Sequence, residues 1–137
     1  MRDIATLFIL GRLILPWHNN TWAGGRDMEI LMERETLDTL RRYLPSGTEV
    51  RMLSDFFSLF SDQTRLKIIS ALSISKMCVS DLVAVLAMNQ TTCSHQLKIL
   101  RSADIVDFER CGKVLLYYLK NPAVCDVLLS AVKYLRL

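Results

Sequence analysis

A helical pattern with one polar side runs directly into two β-rich segments between Met88 and Leu119. On a helical wheel of about 100° per residue, Cys93, Leu97 and Leu100 lie on one side, as residues facing a core should. The opposite side is polar over an arc of about 140°. That arc contains Gln90, Thr91, Ser94, His95, Lys98 and Arg101. The pattern predicts an amphipathic helix whose polar side faces solvent or a polar partner.

A shorter apolar helix is predicted just upstream, from Ser80 to Leu86. The Ser80 hydroxyl can accept a backbone N–H of its first turn, and Asn89 is a favourable N-cap for the helix that follows. Ala87 and Met88 belong to a connection of about three residues, which is typical of a helix-turn-helix.

Two strands are predicted downstream, from Ile105 to Glu109 and from Lys113 to Leu119, because both segments are rich in β-branched and aromatic residues. Gly112 can adopt the positive φ that a tight connection needs. Arg110 and Lys113 flank this tip. A hairpin directly after a helix-turn-helix predicts a mostly α winged helix-turn-helix with a small β-hairpin wing.

The polar side of the helix that begins near Gln90 carries side chains suited to a DNA major groove. Gln and His can bond base edges, Ser and Thr can reach bases or phosphates, and Lys and Arg can neutralise phosphate charge. Five basic and three acidic residues lie between Ala87 and Lys120, in a chain of net charge +3. We therefore predict contacts to double-stranded DNA from the whole polar arc and from Arg110 and Lys113. A winged-helix module that binds another protein and no DNA is the alternative.

The other segments predict helices that complete one domain, from residue 28 to residue 137. Met28 to Leu44 reads as the first helix, and Pro45 ends it. The second helix carries apolar residues whose aromatic side chains are expected to anchor the core; they are Val50, Leu53, Phe56, Phe57 and Phe60. The third, capped by Ser61 or Asp62, is expected to bury one stripe and to leave two cations in solvent. The stripe is Leu66, Ile69 and Leu72, and the cations are Arg65 and Lys67.

The last helix follows Pro122 and is apolar on nearly every side. One stripe contains Val124, Val127, Leu128, Ala131, Val132 and Leu135. A terminal helix with two apolar sides is expected to pack one side on its own domain and the other on a second copy. A hydrophobic fraction of 51% in 137 residues agrees with such an interface. We therefore expect a homodimer; a terminal helix fully buried in a monomer is the alternative.

These segments resemble the ArsR/SmtB family of winged-helix repressors, metal- and stress-responsive regulators of bacteria. The resemblance covers roughly Val50 to Leu135 and depends on three motifs: LFSDQTRLKIISAL (Leu59–Leu72), CVSDLVAVLAMNQTTCSHQLKILRSADIV (Cys78–Val106) and GKVLLYYL (Gly112–Leu119). It implies a repressor that dimerises through terminal helices and releases a palindromic operator on an inducing signal. It also implies base and phosphate contacts at five positions, which are Gln90, Thr91, Ser94, His95 and Gln96.

The metal-binding motifs of this family are incomplete here. The family's Cys-Val-Cys-Asp box at the start of the helix-turn-helix reads Cys78, Val79, Ser80, Asp81, so a hydroxyl stands where the second thiolate would be. The last helix has no His and only one acidic residue, Asp126, so the family's other common metal site is also missing. Cys78 is a weak candidate metal ligand, and a small, partly buried structural residue is the alternative.

The other three cysteines are predicted to differ in environment. Cys93 lies on the apolar side of its helix and is expected in the core. Cys111 is expected at the wing tip, where neighbouring cations favour the thiolate, so it is a weak redox candidate. Cys125 begins the last helix and could approach Cys78 or its symmetry mate, so it is a second weak redox candidate. The inducer stays open between a soft metal ion or metalloid, a thiol oxidant, a persulfide, an organic compound and none.

Residues 1–27 are expected to form an irregular or partly helical extension. Its apolar run from Ile4 to Leu15 contains Arg12 and is shorter than the ~20 residues of a membrane span. No signal-peptide pattern follows it, so we expect a cytoplasmic protein without a membrane partner. The two histidines, His18 and His95, lie in no catalytic motif, and no Gly-rich phosphate loop follows a strand. An enzyme is therefore not predicted.

Overall fold

The computed structural model of the protein describes residues 34–137. In that range the chain forms six helices and one two-stranded sheet: α1 (Arg34–Tyr43), α2 (Gly47–Ser58), α3 (Gln63–Ile74), α4 (Val79–Leu86), α5 (Gln90–Ser102), β1 (Val106–Cys111), β2 (Val114–Leu119) and α6 (Ala123–Leu135). The chain divides into two units between Arg51 and Met52. The predicted extension 1–27 and the start of the predicted first helix lie outside the described residues.

The described part of the first unit contains α1 and the first turn of α2. α1 has no buried residue, and an ion pair of 3.2 Å joins Arg41 to Asp38 one turn away. α2 begins with a reciprocal cap, because the Ser46 N–H donates to Glu49 Oε2 at 2.6 Å and the Glu49 N–H donates to Ser46 Oγ at 3.3 Å. These two hydrogen bonds satisfy amide groups that have no partner within a helix.

The second unit is a winged helix-turn-helix with one apolar core. α3 packs against α4, α5 and β2, and α6 packs against α3. The buried core consists of Ile68, Ile69, Ala71, Leu72, Leu82, Cys93, Leu97, Leu100, Ile105, Val106 and Val124. The predicted fold is confirmed, and so is the predicted core side of the second helix of the motif.

The buried side of α3 differs from the prediction. Ile68 and Ala71 join Ile69 and Leu72 in the core, while Leu66 lies at the surface. The centre of this buried arc is about 140° from Leu66 at 100° per residue, so a stripe at spacings of three drifts off the true face. The prediction that Leu66 is buried is therefore wrong.

The aromatic residues near the end of α2 also divide differently. Phe56 and Phe60 pack against the core, as predicted, with ring centroids 5.0 Å apart. Phe57 is 55% exposed and Leu53 is 41% exposed, so neither anchors the core of this unit. For Phe57 the reason is geometric, because residues four apart share a helix face and the residue next to Phe56 is turned about 100° away.

The cap of α4 is Cys78 rather than the predicted Ser80. The Asp81 N–H donates to Cys78 Sγ at 3.5 Å, and the Cys78 N–H donates to Asp81 Oδ2 at 3.1 Å. This pair has the pattern of a capping box, with sulfur in place of the usual hydroxyl. α4 therefore begins one residue earlier than predicted, and Ser80 lies in its first turn.

The sheet is an antiparallel hairpin with an additional bridge. Val106 pairs with Leu119 and Cys111 pairs with Val114, so Gly112 and Lys113 form the two-residue connection. Gly112 has φ +61°, which confirms its predicted role. Met77, between α3 and α4, pairs with Tyr117 through backbone hydrogen bonds of 2.9 and 3.1 Å. The sequence pattern did not predict this third segment of the sheet.

α6 begins in the core and ends in solvent. Val124 is buried and Leu128 packs against the core, but Val132 is 41% exposed and Leu135 is 61% exposed. All four residues lie on one side of the helix at 100° per residue. The domain therefore covers only the first half of the predicted apolar stripe, and the second half is exposed. No helix within residues 34–137 is long and apolar enough to cross a membrane.

Candidate nucleic-acid interface

The second helix of the helix-turn-helix motif, α5, is firmly capped at its start. Asn89 Oδ1 accepts the N–H of Thr91 at 2.7 Å and that of Thr92 at 3.4 Å, as the sequence predicts. Ala87 reverses the chain after α4 with φ +49°. A short turn and a strong cap together determine where α5 begins and which of its sides faces outward.

The outward side of α5 is the predicted polar arc. All of its residues are exposed: Gln90, Thr91, Ser94, His95, Lys98 and Arg101. The opposite side is held by Cys93, Leu97 and Leu100, each at most 1% exposed. Because this side is locked in the core, the polar arc is presented as one rigid surface. Its hydroxyl, imidazole, amide and ammonium groups can bond base edges and phosphates.

Gln96 differs from these residues in burial and in its partner. Its side chain is half-buried, and its Oε1 accepts a hydrogen bond from the Arg65 guanidinium at 3.3 Å. Arg65 was expected in solvent, but it lies within the buried arc of α3, between Leu72 and Ile69 on a helical wheel. The sequence pattern does not predict this contact. The position of Arg65 on that arc was the available signal.

The wing places two cations beside its turn. Arg110, Cys111, Gly112 and Lys113 are all exposed. Arg110 pairs with Leu115 across the hairpin, so it lies in the second pair from the turn that contains Lys113. A hairpin tip with two cations can contact the phosphate backbone on either side of a groove.

Other cations near the wing have acidic partners. Arg101 Nε lies 3.5 Å from Asp107 Oδ1, and its guanidinium stacks 4.3 Å from the Phe108 ring centroid. Lys76 Nζ lies 2.9 Å from Glu109 Oε1 and 5.0 Å from the Tyr118 ring centroid.

Lys120 pairs with Asp104, and this carboxylate raises the pKa of Lys120. Among residues 34–137, no ion pair involves Lys98, Arg110 or Lys113. These three cations are therefore the most available to phosphate.

The four cysteines are free thiols in distinct environments. Cys93 is buried, and burial raises the pKa of its thiol, which makes it unreactive. Cys111 is exposed at the wing tip, while Cys78 and Cys125 are half-buried. Hydrogen bonds from the thiol and the backbone N–H of Cys78 hold the pKa of Asp81 below its ordinary value. Within residues 34–137, no three potential ligands converge as a metal centre would require. His18 lies outside those residues.

Comparisons with known proteins place this chain among bacterial regulators. A family model described as "Bacterial regulatory protein, arsR family" matches residues 62–107. A transcriptional repressor SmtB homolog from Synechocystis is 32% identical over 103 residues, which are 73% of this chain and 78% of that protein. The cadmium resistance transcriptional regulatory protein CadC of Listeria innocua is 32% identical over 83 residues, 60% of this chain and 70% of that protein.

A solved structure, the AntR antimony-specific transcriptional repressor, superimposes with a TM-score of 0.62 at 29% identity. The similarity covers 68% of this chain and 85% of that one. The fold and the sequence motifs therefore agree with each other.

Proposed function

The chain belongs to the ArsR/SmtB family of winged helix-turn-helix transcriptional regulators, and from this premise we propose that it is a homodimeric repressor of a palindromic operator. The family is one of regulators, not of enzymes. The observation that carries the proposal is the outward side of α5, where polar side chains capable of reading bases lie in one exposed arc. A protein-binding module without DNA binding is the alternative.

The proposed contacts divide by chemistry. Ser94 and His95 lie midway along the length of α5 and are assigned to base edges, with Gln90 and Thr91 at the helix start. Lys98, Arg110 and Lys113 are assigned to phosphate, because no acidic partner among residues 34–137 neutralises them. We assign Arg101 a weaker contact with the duplex than these three residues make, since Asp107 and Phe108 already hold its guanidinium.

The proposed dimer uses the uncovered half of α6. Leu129, Val132 and Leu135 are between 41% and 61% exposed on one terminal helix. Burial of such residues against a second copy is favourable at about 25 cal/mol for each Å² removed from water. A two-fold dimer presents two copies of α5 to successive major grooves, about 34 Å apart along the duplex.

Selection from random double-stranded DNA tests the function. We expect enrichment of a sequence with two inverted half-sites whose centres are about 10–10.5 base pairs apart. Its affinity should fall steeply as salt concentration increases, since phosphate contacts release counterions. Absence of any enriched sequence, together with binding that is insensitive to salt, would contradict the proposal and favour the protein-binding alternative.

We propose further that the inducing signal is thiol-seeking, that is, a soft metal ion, a metalloid or a thiol-reactive compound. Two similar proteins are named for cadmium and antimony, which prefer sulfur ligands. The donors of one chain do not fit a complete metal centre in residues 34–137. Cys78 would be a single soft donor there, and it already caps α4. Cys111 and Cys125 are the other accessible thiols.

Two titrations separate these signals. Cadmium, zinc or arsenite that weakens operator binding in wild type, but not in Cys78→Ser, supports a metal or metalloid inducer. Hydrogen peroxide or a persulfide donor that weakens binding in wild type, but not in the double variant Cys111→Ser/Cys125→Ser, supports a thiol-reactive inducer. Unchanged operator affinity in both titrations would contradict a thiol-seeking signal.

A further inference from the structure

Arg65 joins three elements of the second unit through a single guanidinium group. Its Nε donates to the Leu59 carbonyl at 3.0 Å, and its Nη2 donates to the Ser58 carbonyl at 3.2 Å. Its Nη1 donates to Gln96 Oε1 at 3.3 Å. The side chain therefore connects α3, on which it lies, to the end of α2 and to the side of α5.

The chemistry at this position requires arginine. The last carbonyls of α2 have no partners within the helix and carry a partial negative charge, so they favour a cation. The planar guanidinium presents five N–H donors in a rigid fork and can bond two carbonyls and an amide in separate directions. A lysine ammonium retains the charge but concentrates its donors on one nitrogen.

The same hydrogen bond changes what Gln96 can do at a DNA surface. A glutamine reads adenine with both ends of its amide. The amide oxygen accepts one hydrogen bond from the base, and the amide nitrogen donates another to it. The oxygen of Gln96 is already engaged by Arg65. Gln96 is also half-buried, unlike its exposed neighbours Ser94 and His95.

We propose that Arg65 is a positioning residue that holds α5 in its DNA-reading orientation, and that Gln96 acts through Arg65 and does not read a base. This assignment rests on the proposed DNA-binding function. It removes Gln96 from the base-contacting set that family resemblance implies. It also makes the end of α2 a mechanical support of the recognition surface.

A double-mutant cycle tests the assignment on the duplex that the wild-type protein enriches most strongly from random DNA. The variants are Arg65→Met, Gln96→Leu and the two combined, with Lys67→Met as the matched control. Lys67 is exposed two residues further along α3, so its substitution removes the same charge. Fluorescence anisotropy titration at fixed salt gives each affinity, and repeated selection gives the base preference at each operator position.

We expect each single variant to weaken binding about five- to tenfold, as loss of one hydrogen bond predicts. The double variant should be no weaker than Arg65→Met, because the two residues act as one unit. Lys67→Met should stay within about twofold of wild type. Base preference should be unaltered in Gln96→Leu. The assignment would be overturned if Gln96→Leu lost the preference at one base pair. It would also be overturned if Gln96→Leu weakened the binding of Arg65→Met as much as it weakens that of wild type.

A second measurement without DNA separates this inference from the proposed function. Amide hydrogen exchange across residues 90–102 should accelerate in Arg65→Met, and also in Arg65→Lys, which keeps the charge and is the milder change. Exchange equal to that of wild type in both variants would overturn the positioning role even if operator binding is normal. Accelerated exchange in a protein that enriches no DNA would instead show that the DNA-binding proposal had failed while the contact holds α5.

Discussion

Lys76 and Lys113 carry the same charge near the wing, yet of the two only Lys76 has an acidic partner within residues 34–137. The sequence shows both as basic residues close to a hairpin and cannot distinguish them. The pairing of Lys76 with Glu109 joins positions 33 apart in the chain, so it depends on the tertiary fold. Availability to phosphate is therefore a property that only the structure assigns.

Lys113→Ala should weaken binding to all duplexes and reduce the slope of log affinity against log salt by about 1. The physical reason is that a lysine bound to phosphate displaces one condensed counterion. Anisotropy titrations across a salt series measure the slope. Lys76→Ala, the matched control, should leave the slope unchanged. Equal slopes in Lys113→Ala and wild type would remove the wing tip from the interface.

A helical wheel predicts the burial of some residues correctly and of others wrongly. Cys93, Leu97 and Leu100 were assigned to the core correctly because their helix has a narrow apolar side. Arg65 was assigned to solvent because a cation is normally exposed. The position of Arg65 on the buried arc of α3 is a signal against full exposure, but the carbonyls that it bonds lie at the end of another helix, and no periodicity within α3 encodes them.

At the scale of the element, α4 shows that a cap can be a sulfur atom. A favourable hydroxyl, Ser80, lies two residues away, and a sequence reading prefers it. The capping box formed by Cys78 and Asp81 is selected instead, because the chain entering α4 is held by the bridge from Met77 to Tyr117. The hairpin itself was predictable from Gly112, but the bridge was not, since its partners are 40 residues apart.

Cys78→Ser should retain or increase the melting temperature, because a hydroxyl is a stronger N-cap acceptor than a thiol. Cys78→Ala should lower it by about 3 °C, as loss of a cap of about 1 kcal/mol predicts. Thermal unfolding followed by circular dichroism, at one protein concentration, measures both. A serine variant that is less stable than the alanine variant would contradict the capping role.

Acid should weaken this cap, because the hydrogen bonds with Cys78 hold the pKa of Asp81 in the folded protein below its ordinary value. A group with a lowered folded pKa stabilises the protein above its unfolded pKa, and that contribution is lost as the pH falls through the folded pKa. The difference in melting temperature between wild type and Asp81→Asn should therefore shrink from about pH 6 to about pH 3. A difference that is constant over this range would show that ionised Asp81 contributes nothing.

At the scale of the whole molecule, the order of helix, turn, helix and hairpin was sufficient to predict the winged helix-turn-helix. The reason is that each element has its own local pattern and the connections are short. What the order could not predict is where the core ends. The residues of the α6 stripe are apolar all the way from Val124 to Leu135. Only the fold shows that the second half of the stripe is uncovered.

Leu135→Glu should convert the proposed dimer to monomers, raising the dimer dissociation constant at least tenfold, since a buried unpaired carboxylate costs more than about 1.4 kcal/mol. Sedimentation velocity over a concentration series measures this change. Ser130→Glu places the same charge on the opposite side of α6 and should leave the dimer intact. A Leu135→Glu variant that sediments like wild type would exclude this surface from the interface.

The most direct test of DNA reading by α5 is the combined substitution Ser94→Ala/His95→Ala, titrated against the duplex enriched by wild type. Both side chains are exposed on the polar arc, midway along α5, so the fold and the dimer should be unaffected. Ser70→Ala, exposed on α3, is the control. We predict that affinity for the enriched duplex falls at least about 30-fold while weak binding to unrelated DNA is retained. Specific affinity equal to that of wild type would contradict the assignment of this helix as the DNA-reading element.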